Sequence, residues 1–158
     1  MVSARLARAR AAVAGVVDPE IPVLTIADLG VLRDVVIDSD DAVTVTITPT
    51  YTGCPAMDVI TADIFSALTQ AGISEARVQT VLSPAWTTDW MSEAGRRKLR
   101  DYGIAPPPCT AEAGTHRPEC PQCGAAETEL LAEFGSTSCK SLWRCLACRE
   151  PFDLFKCH

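Results

Sequence analysis

Cys120-Pro-Gln-Cys123 and Cys145-Leu-Ala-Cys148 stand near the end of the chain, with 21 residues between the two pairs. Cysteines two residues apart can grip one side of a tetrahedral metal with their thiolates. A second pair from a neighbouring hairpin closes the other side. Four soft sulfur ligands suit zinc, with iron of the rubredoxin kind as the alternative. Protein fills all four positions, so Cys120, Cys123, Cys145 and Cys148 read as a structural site rather than a catalytic one. The spacing predicts a zinc ribbon over 119–158, built from short strands at 128–134, 141–144 and 151–156. A module of this size cannot hold on apolar burial alone and needs its ion.

Upstream of the ribbon, Ala105-Pro106-Pro107-Pro108 reads as a stiff polyproline connector and Thr110-Ala-Glu-Ala-Gly-Thr115 as a flexible one. The expected organisation is a first domain over 1–105, a Pro-rich linker over 106–118 and the ribbon. Of the eight cysteines, all but Cys54 lie beyond residue 105. Cys139 and Cys157 read either as ordinary small residues of the ribbon or as a second thiol or metal site beside it. Cys109, His116 and His158 have no assigned role. Paired C-x-x-C spacing without a signal sequence argues against a disulfide framework and for a reducing cytoplasm.

Composition narrows the partners. Apolar residues at 47% and charged residues at 22% describe a soluble globular protein. A net charge of −6 works against a phosphate-backbone footprint, so no nucleic acid is expected. No apolar run approaches the roughly 20 residues that span a bilayer, so no membrane is expected. Arg5, Arg8 and Arg10 precede the first acid, Asp18, but the segment reads as an amphipathic helix, with Leu6, Val13 and Val17 on one stripe, rather than as a leader.

The first segment reads helix, strand, strand, helix, strand, helix. These elements are expected at 4–15, 31–38, 42–48, 55–71, 76–82 and 89–102. The fold class is therefore α+β, a small three-stranded sheet packed with helices and followed by the ribbon. Val43, Val45 and Ile47 alternate with threonines, as a strand with one buried face requires. Met57, Ile60, Ile64, Ala67, Leu68 and Ala71 form the apolar stripe of the second helix. The basic end of the last helix (Arg96, Arg97, Lys98, Arg100) suits the helix dipole, and a binding patch is the alternative.

Thr50-Tyr51-Thr52-Gly53-Cys54-Pro55 places a cysteine at the mouth of that second helix. Unpaired N–H groups and the helix dipole favour a thiolate there. Such a thiolate binds a soft metal, accepts a cluster or acts as a nucleophile; otherwise Cys54 is a buried capping residue without chemistry. Asp18, Glu20 and Asp28 lie in a proline-rich stretch and read either as hard-metal ligands near that loop or as turn and cap formers. The only histidines are His116 and His158, so a Cys-His nucleophile built on Cys54 is hard to assemble.

Taken together, these stretches resemble a known family. Asp18-Pro-Glu-Ile-Pro and Ala27-Asp-Leu-Gly30 resemble the opening signature of SufT-like iron–sulfur maturation proteins, and Thr48-Pro-Thr-Tyr-Thr-Gly-Cys-Pro-Ala56 resembles their cysteine motif. Ser83-Pro-Ala-Trp86, Gly103-Ile-Ala-Pro-Pro107, Phe134-Gly-Ser-Thr-Ser-Cys-Lys140 and the 144–158 stretch are similar to the D proteins of phenylacetyl-CoA epoxidase systems (PaaD), which join that domain to a zinc ribbon. The resemblance implies a SufT-like fold and an accessory, non-enzymatic role in phenylacetate degradation. It implies assembly or loading of iron–sulfur clusters, through Cys54, for the reductase or oxygenase components of the epoxidase. A non-catalytic structural subunit of the oxygenase complex is the alternative. Asp18, Glu20, Asp28 and Thr52 are carried as neighbours of Cys54. The implied cofactors are structural zinc and a transient iron or cluster, and homodimerisation is left open.

Overall fold

The computed structural model describes residues 3–51, 53–108 and 117–156. The expectations placed on Thr52, Cys109, His116, Cys157 and His158 lie outside those residues. The chain divides into two compact units, Met1–Trp86 and Thr87–His158.

The first unit is a two-layer α+β fold. Helix α1 (Ala4–Ala14) starts where the Ser3 hydroxyl accepts the Leu6 N–H at 3.1 Å, and it buries Ala9 and Val13. Val17 does not join that stripe. It lies beyond the Gly15 cap, bridges to Thr25 and is 41% exposed. A short helix not expected from the sequence, α2 (Ile26–Leu29), is closed by a reciprocal capping box between Thr25 and Asp28. Strand β1 (Leu32–Ile37) pairs antiparallel with β2 (Val43–Ile47) through a turn in which Asp41 takes a positive φ. Helix α3 (Ala56–Gln70) then carries the chain over to β3 (Ala76–Thr80), which pairs parallel with β2. A crossover of this kind is what parallel pairing demands.

The helices cover one face of this sheet. Val43, Val45 and Ile47 on β2 are wholly buried, as are Ile64 and Leu68 on α3. Each such side chain contributes about 1.5–3 kcal/mol by leaving water. Thr44 and Thr46 on the opposite face stay half-buried beside Arg77, which forms ion pairs with Asp38 at 2.7 Å and Asp40 at 2.8 Å.

The second unit begins earlier than the expected boundary at residue 105. A 3-10 turn (Thr88–Trp90) and α4 (Glu93–Tyr102) lead into β4 (Ile104–Ala105), which pairs parallel with β7 (Pro151–Phe155). Strands β5 (Thr128–Ala132) and β6 (Lys140–Cys145) complete a four-stranded sheet in the order β4-β7-β6-β5. The physical reason for the shift is burial. Ala105 shares one apolar cluster with Cys120, Cys145, Phe152 and Leu154. Pro107 and Pro108 are buried too, and the Arg96 guanidinium donates to the Pro107 carbonyl at 2.5 Å. The stretch read as a stiff polyproline connector is thus docked at its start. The single helix expected over 89–102 is broken because Ser92 caps α4, its hydroxyl accepting the Gly95 N–H at 2.9 Å.

The two cysteine knuckles share one backbone pattern. The Cys120 N–H donates to the Ala125 carbonyl and the Gly124 N–H to the Cys120 carbonyl. Likewise, the Cys145 N–H donates to Glu150 and the Arg149 N–H to Cys145. The residue after each second cysteine is left-handed, Gly124 at φ 77° and Arg149 at φ 70°. Glycine takes this conformation without a Cβ clash, and arginine does not. Replacing Arg149 by Gly is expected to raise the urea stability of the zinc-loaded chain by about 0.5–1 kcal/mol, and Gly124→Ala to lower it by about 1–2 kcal/mol. Equal effects of the two changes would contradict this account.

Candidate metal centre and thiol site

The knuckles bring four sulfurs together from the 117–125 loop and from the turn between β6 and β7. Cys120 Sγ and Cys148 Sγ are 3.7 Å apart, and Cys123 Sγ and Cys145 Sγ 3.6 Å. All four lie within 4.8 Å of one another, and among the described residues no other group of three or more Cys, His, Asp or Glu ligands converges in this way. A disulfide needs about 2.0 Å, so these are free thiols. Four sulfurs held about 2.3 Å from one ion at tetrahedral angles would lie about 3.8 Å apart. The donor set and its spacing therefore fit zinc. Bound there, zinc supplies cross-linking charge rather than reactivity, because no coordination position is left open.

Backbone dipoles prepare the site. The Cys148 N–H, donating to Cys145 Sγ at 3.4 Å, and the Ala147 N–H lower the Cys145 thiol to about 6. The Glu150 N–H acts on Cys148 in the same sense, but loss of water around its sulfur among the crowding thiols of Cys145, Cys120 and Cys123 outweighs it and pushes Cys148 up to about 12. Four thiolates cannot share so small a volume without a cation. Cys120 and Cys145 are buried, while Cys123 and Cys148 are exposed, so the cluster is sealed on its core side only. Cys139 is also buried. Its sulfur lies 2.9 Å from the Thr137 hydroxyl and is not among the converging ligands.

Cys54 lies in the other unit, two residues before α3. Its N–H donates to the Tyr51 carbonyl at 3.3 Å and its carbonyl accepts the Met57 N–H at 3.2 Å, so its backbone is held at both ends. The side chain is half-buried, and its sulfur has no hydrogen-bond partner among the described residues. Pro55, read from the sequence as the first helical residue, is the cap residue, with φ −67° and ψ −19°. Gly53 takes φ 79° with nothing within 4 Å of where a Cβ would stand, so glycine is required there for conformation and not for space.

The topology explains what gathers at this end. Strands β2 and β3 run parallel, so both leave the sheet at the same end. The Thr48 N–H donates to Val31 and the Val81 N–H to Ile47, each at 2.9 Å. The Trp86 indole, buried at 5% exposure, donates to the Leu29 carbonyl at 2.8 Å. Loops from three parts of the sequence thus meet where the Cys54 loop begins. Carboxyl ends of parallel strands are habitual places for ligand sites. In the sequence Trp86 is visible only as part of a motif, since an anchor to a carbonyl 57 residues away leaves no local signal.

Two of the acidic candidates, Asp18 and Asp28, have other work. Asp18 Oδ1 accepts the N–H groups of Glu20 at 2.7 Å and Ile21 at 3.0 Å, turning the chain ahead of α2. Asp28 Oδ2 accepts the Thr25 N–H at 3.1 Å. Cys54, Asp18, Glu20 and Asp28 do not form a converging set of three or more ligands.

Metal loading must displace the proton that Cys148, raised to about 12, carries at neutral pH. Zinc titrated into the stripped chain in weak buffer at neutral pH is expected to release protons, and affinity is expected to fall as pH falls. Loading without proton release, followed with a pH indicator, would contradict the four-thiolate assignment.

Known proteins match both units. A family model for iron–sulfur cluster assembly protein covers residues 6–82, and one for the PaaD zinc beta ribbon domain covers residues 104–156. The chain is 49% identical over 143 residues, covering 89% of this chain and 86% of the relative, to an Escherichia coli protein described as a putative component of 1,2-phenylacetyl-CoA epoxidase. It is 38% identical over 85 residues, 53% of this chain and 80% of the relative, to an Fe-S protein maturation auxiliary factor of Porphyromonas gingivalis. A crystal structure of a domain of unknown function from Bacillus anthracis superposes with a TM-score of 0.56 at 30% identity, covering 61% of this chain and 92% of the other. With both of its units matched and this identity sustained over most of its length, the chain belongs to the PaaD family, in which an iron–sulfur cluster assembly domain is joined to a zinc ribbon.

Proposed function

We propose that this protein is a non-catalytic assembly factor that delivers iron or an iron–sulfur cluster to a component of a phenylacetyl-CoA epoxidase, with Cys54 as the transient ligand. The observation that carries this reading is the Cys54 sulfur. It is half-buried and unpartnered among the described residues, on a fixed backbone at the carboxyl end of a parallel strand pair. The match of residues 6–82 to a cluster assembly family supports the cargo, and the name of the E. coli relative supports the client.

A single thiolate is suited to handover. No converging set of three or more ligands surrounds Cys54 among the described residues, so the cargo is held by few protein bonds and leaves easily. In the exchange, the iron–sulfur bond to Cys54 breaks as a bond to a client thiolate forms. The proton lost by the client thiol balances the one regained by Cys54, and no electrons change hands. The four-sulfur site takes no part in this exchange, because its ligands are committed to zinc. The zinc-bearing unit serves instead as the module that docks on the client.

Cys54→Ser is expected to keep one zinc per chain and normal thermal stability, while the cluster content of co-produced epoxidase components falls several-fold. Iron analysis of both proteins, purified without oxygen, is the measurement. Unchanged iron in the partner would overturn delivery through Cys54 and favour a purely structural subunit.

A further inference from the structure

The second unit contains an open cavity of about 830 Å³ whose wall carries Arg96, Arg97 and Arg100 of α4, with Met91, Pro107 and Pro121 among its apolar lining. Set against the carboxylates of Glu93 and Glu119 in the same lining, the three guanidiniums leave the wall net positive on a chain of net charge −6. Arg96 is a fixed element of the wall, since its guanidinium donates to the Pro107 carbonyl at 2.5 Å and to the Thr88 carbonyl at 2.9 Å. Arg97 and Arg100 are exposed and form no ion pair among the described residues. A purely dipole-complementing role does not require three guanidiniums to line one cavity.

We propose that this cavity receives an acidic, partly apolar peptide segment of a partner protein. Charge complementarity selects an anionic occupant, and three features favour a peptide over a compact phosphate. Arg97 and Arg100 stand one helical turn apart, a spacing met by successive carboxylates rather than by a single anion. Both are exposed, so each ion pair is weak alone and only a ligand that engages several gains affinity. The same cavity bears Glu93 and Glu119, which repel a dense polyphosphate but leave room for a chain carrying N–H donors and apolar side chains between its acids. Proline and methionine surfaces supply the contact for those apolar residues.

The proposal rests on the reading of the second unit as the docking module, and its test is separate from delivery. The probe is a fluorescein-labelled octapeptide of glutamates interrupted by two leucines, titrated into the zinc-loaded full-length chain. Wild type and Cys54→Ser are expected to bind it equally, more weakly as salt rises. The pair Arg97→Glu with Arg100→Glu is expected to bind about tenfold more weakly with zinc content unchanged. The neutral pair Arg97→Gln with Arg100→Gln is expected to fall between. Absence of binding to wild type, or equal binding by the charge-reversed pair, would overturn the proposal. Displacement of the peptide by pyrophosphate or coenzyme A at concentrations below those of unlabelled peptide would also overturn it, by making the cavity a phosphate site. A loss of delivery in Cys54→Ser with peptide binding intact separates the two readings.

Discussion

Four sulfurs confined within 4.8 Å of one another are the constraint on which the second unit depends. Their mutual repulsion as thiolates is resolved only by a cation, and that cation ties the 117–125 loop to the β6–β7 turn. The apolar material around them is slight: Ala105, Phe152 and Leu154, with Ala125 and Trp143 partly buried against them. A cluster of this size offsets only part of the ordering entropy of the loops that carry the cysteines, and bonds to a metal would add to it. The backbone is shaped to the same end, to the point of holding Arg149 in a left-handed conformation so that the second knuckle can repeat the first.

The first unit is held together differently. Its core is aliphatic, formed where the alternating face of β2 meets the stripe of α3. The crossover through α3 makes β2 and β3 parallel, and parallel strands leave a sheet together at one end. That end is where Cys54 sits. Rigidity from the sheet and a sulfur with no hydrogen-bond partner among the described residues are thereby combined in one place. Among the described residues, four thiols of the second unit converge on one site, while Cys54 of the first unit lies outside any such cluster.

Much of this is legible in local patterns. The C-x-x-C pairs, the alternation of Val43, Val45 and Ile47 and the stripe Ile60, Ile64 and Leu68 each encode their element within a few residues. Helix α2 also has a local signature, the capping box of Thr25 and Asp28, but four residues are too few to show a helical period, and Asp28 reads as readily as a metal ligand. Asp18 is ambiguous for a physical reason, since the same short carboxylate that ligates a cation also accepts backbone N–H groups in turns.

By itself, the sequence determined the two cysteine pairs of the metal site, the three strands and two longer helices of the sheet unit and the place of Cys54 just ahead of α3, because spacing and periodicity are local properties. Only the tertiary structure decided that β4 belongs with the ribbon, that Trp86 pins Leu29, that Asp18 accepts N–H groups in a turn while Asp28 caps α2, and that three arginines of α4 line one cavity. Each of these is a meeting of residues through burial or a hydrogen bond, which a linear pattern does not record. A two-residue strand such as Ile104–Ala105 carries no periodicity of its own and exists only because β7 offers it an edge.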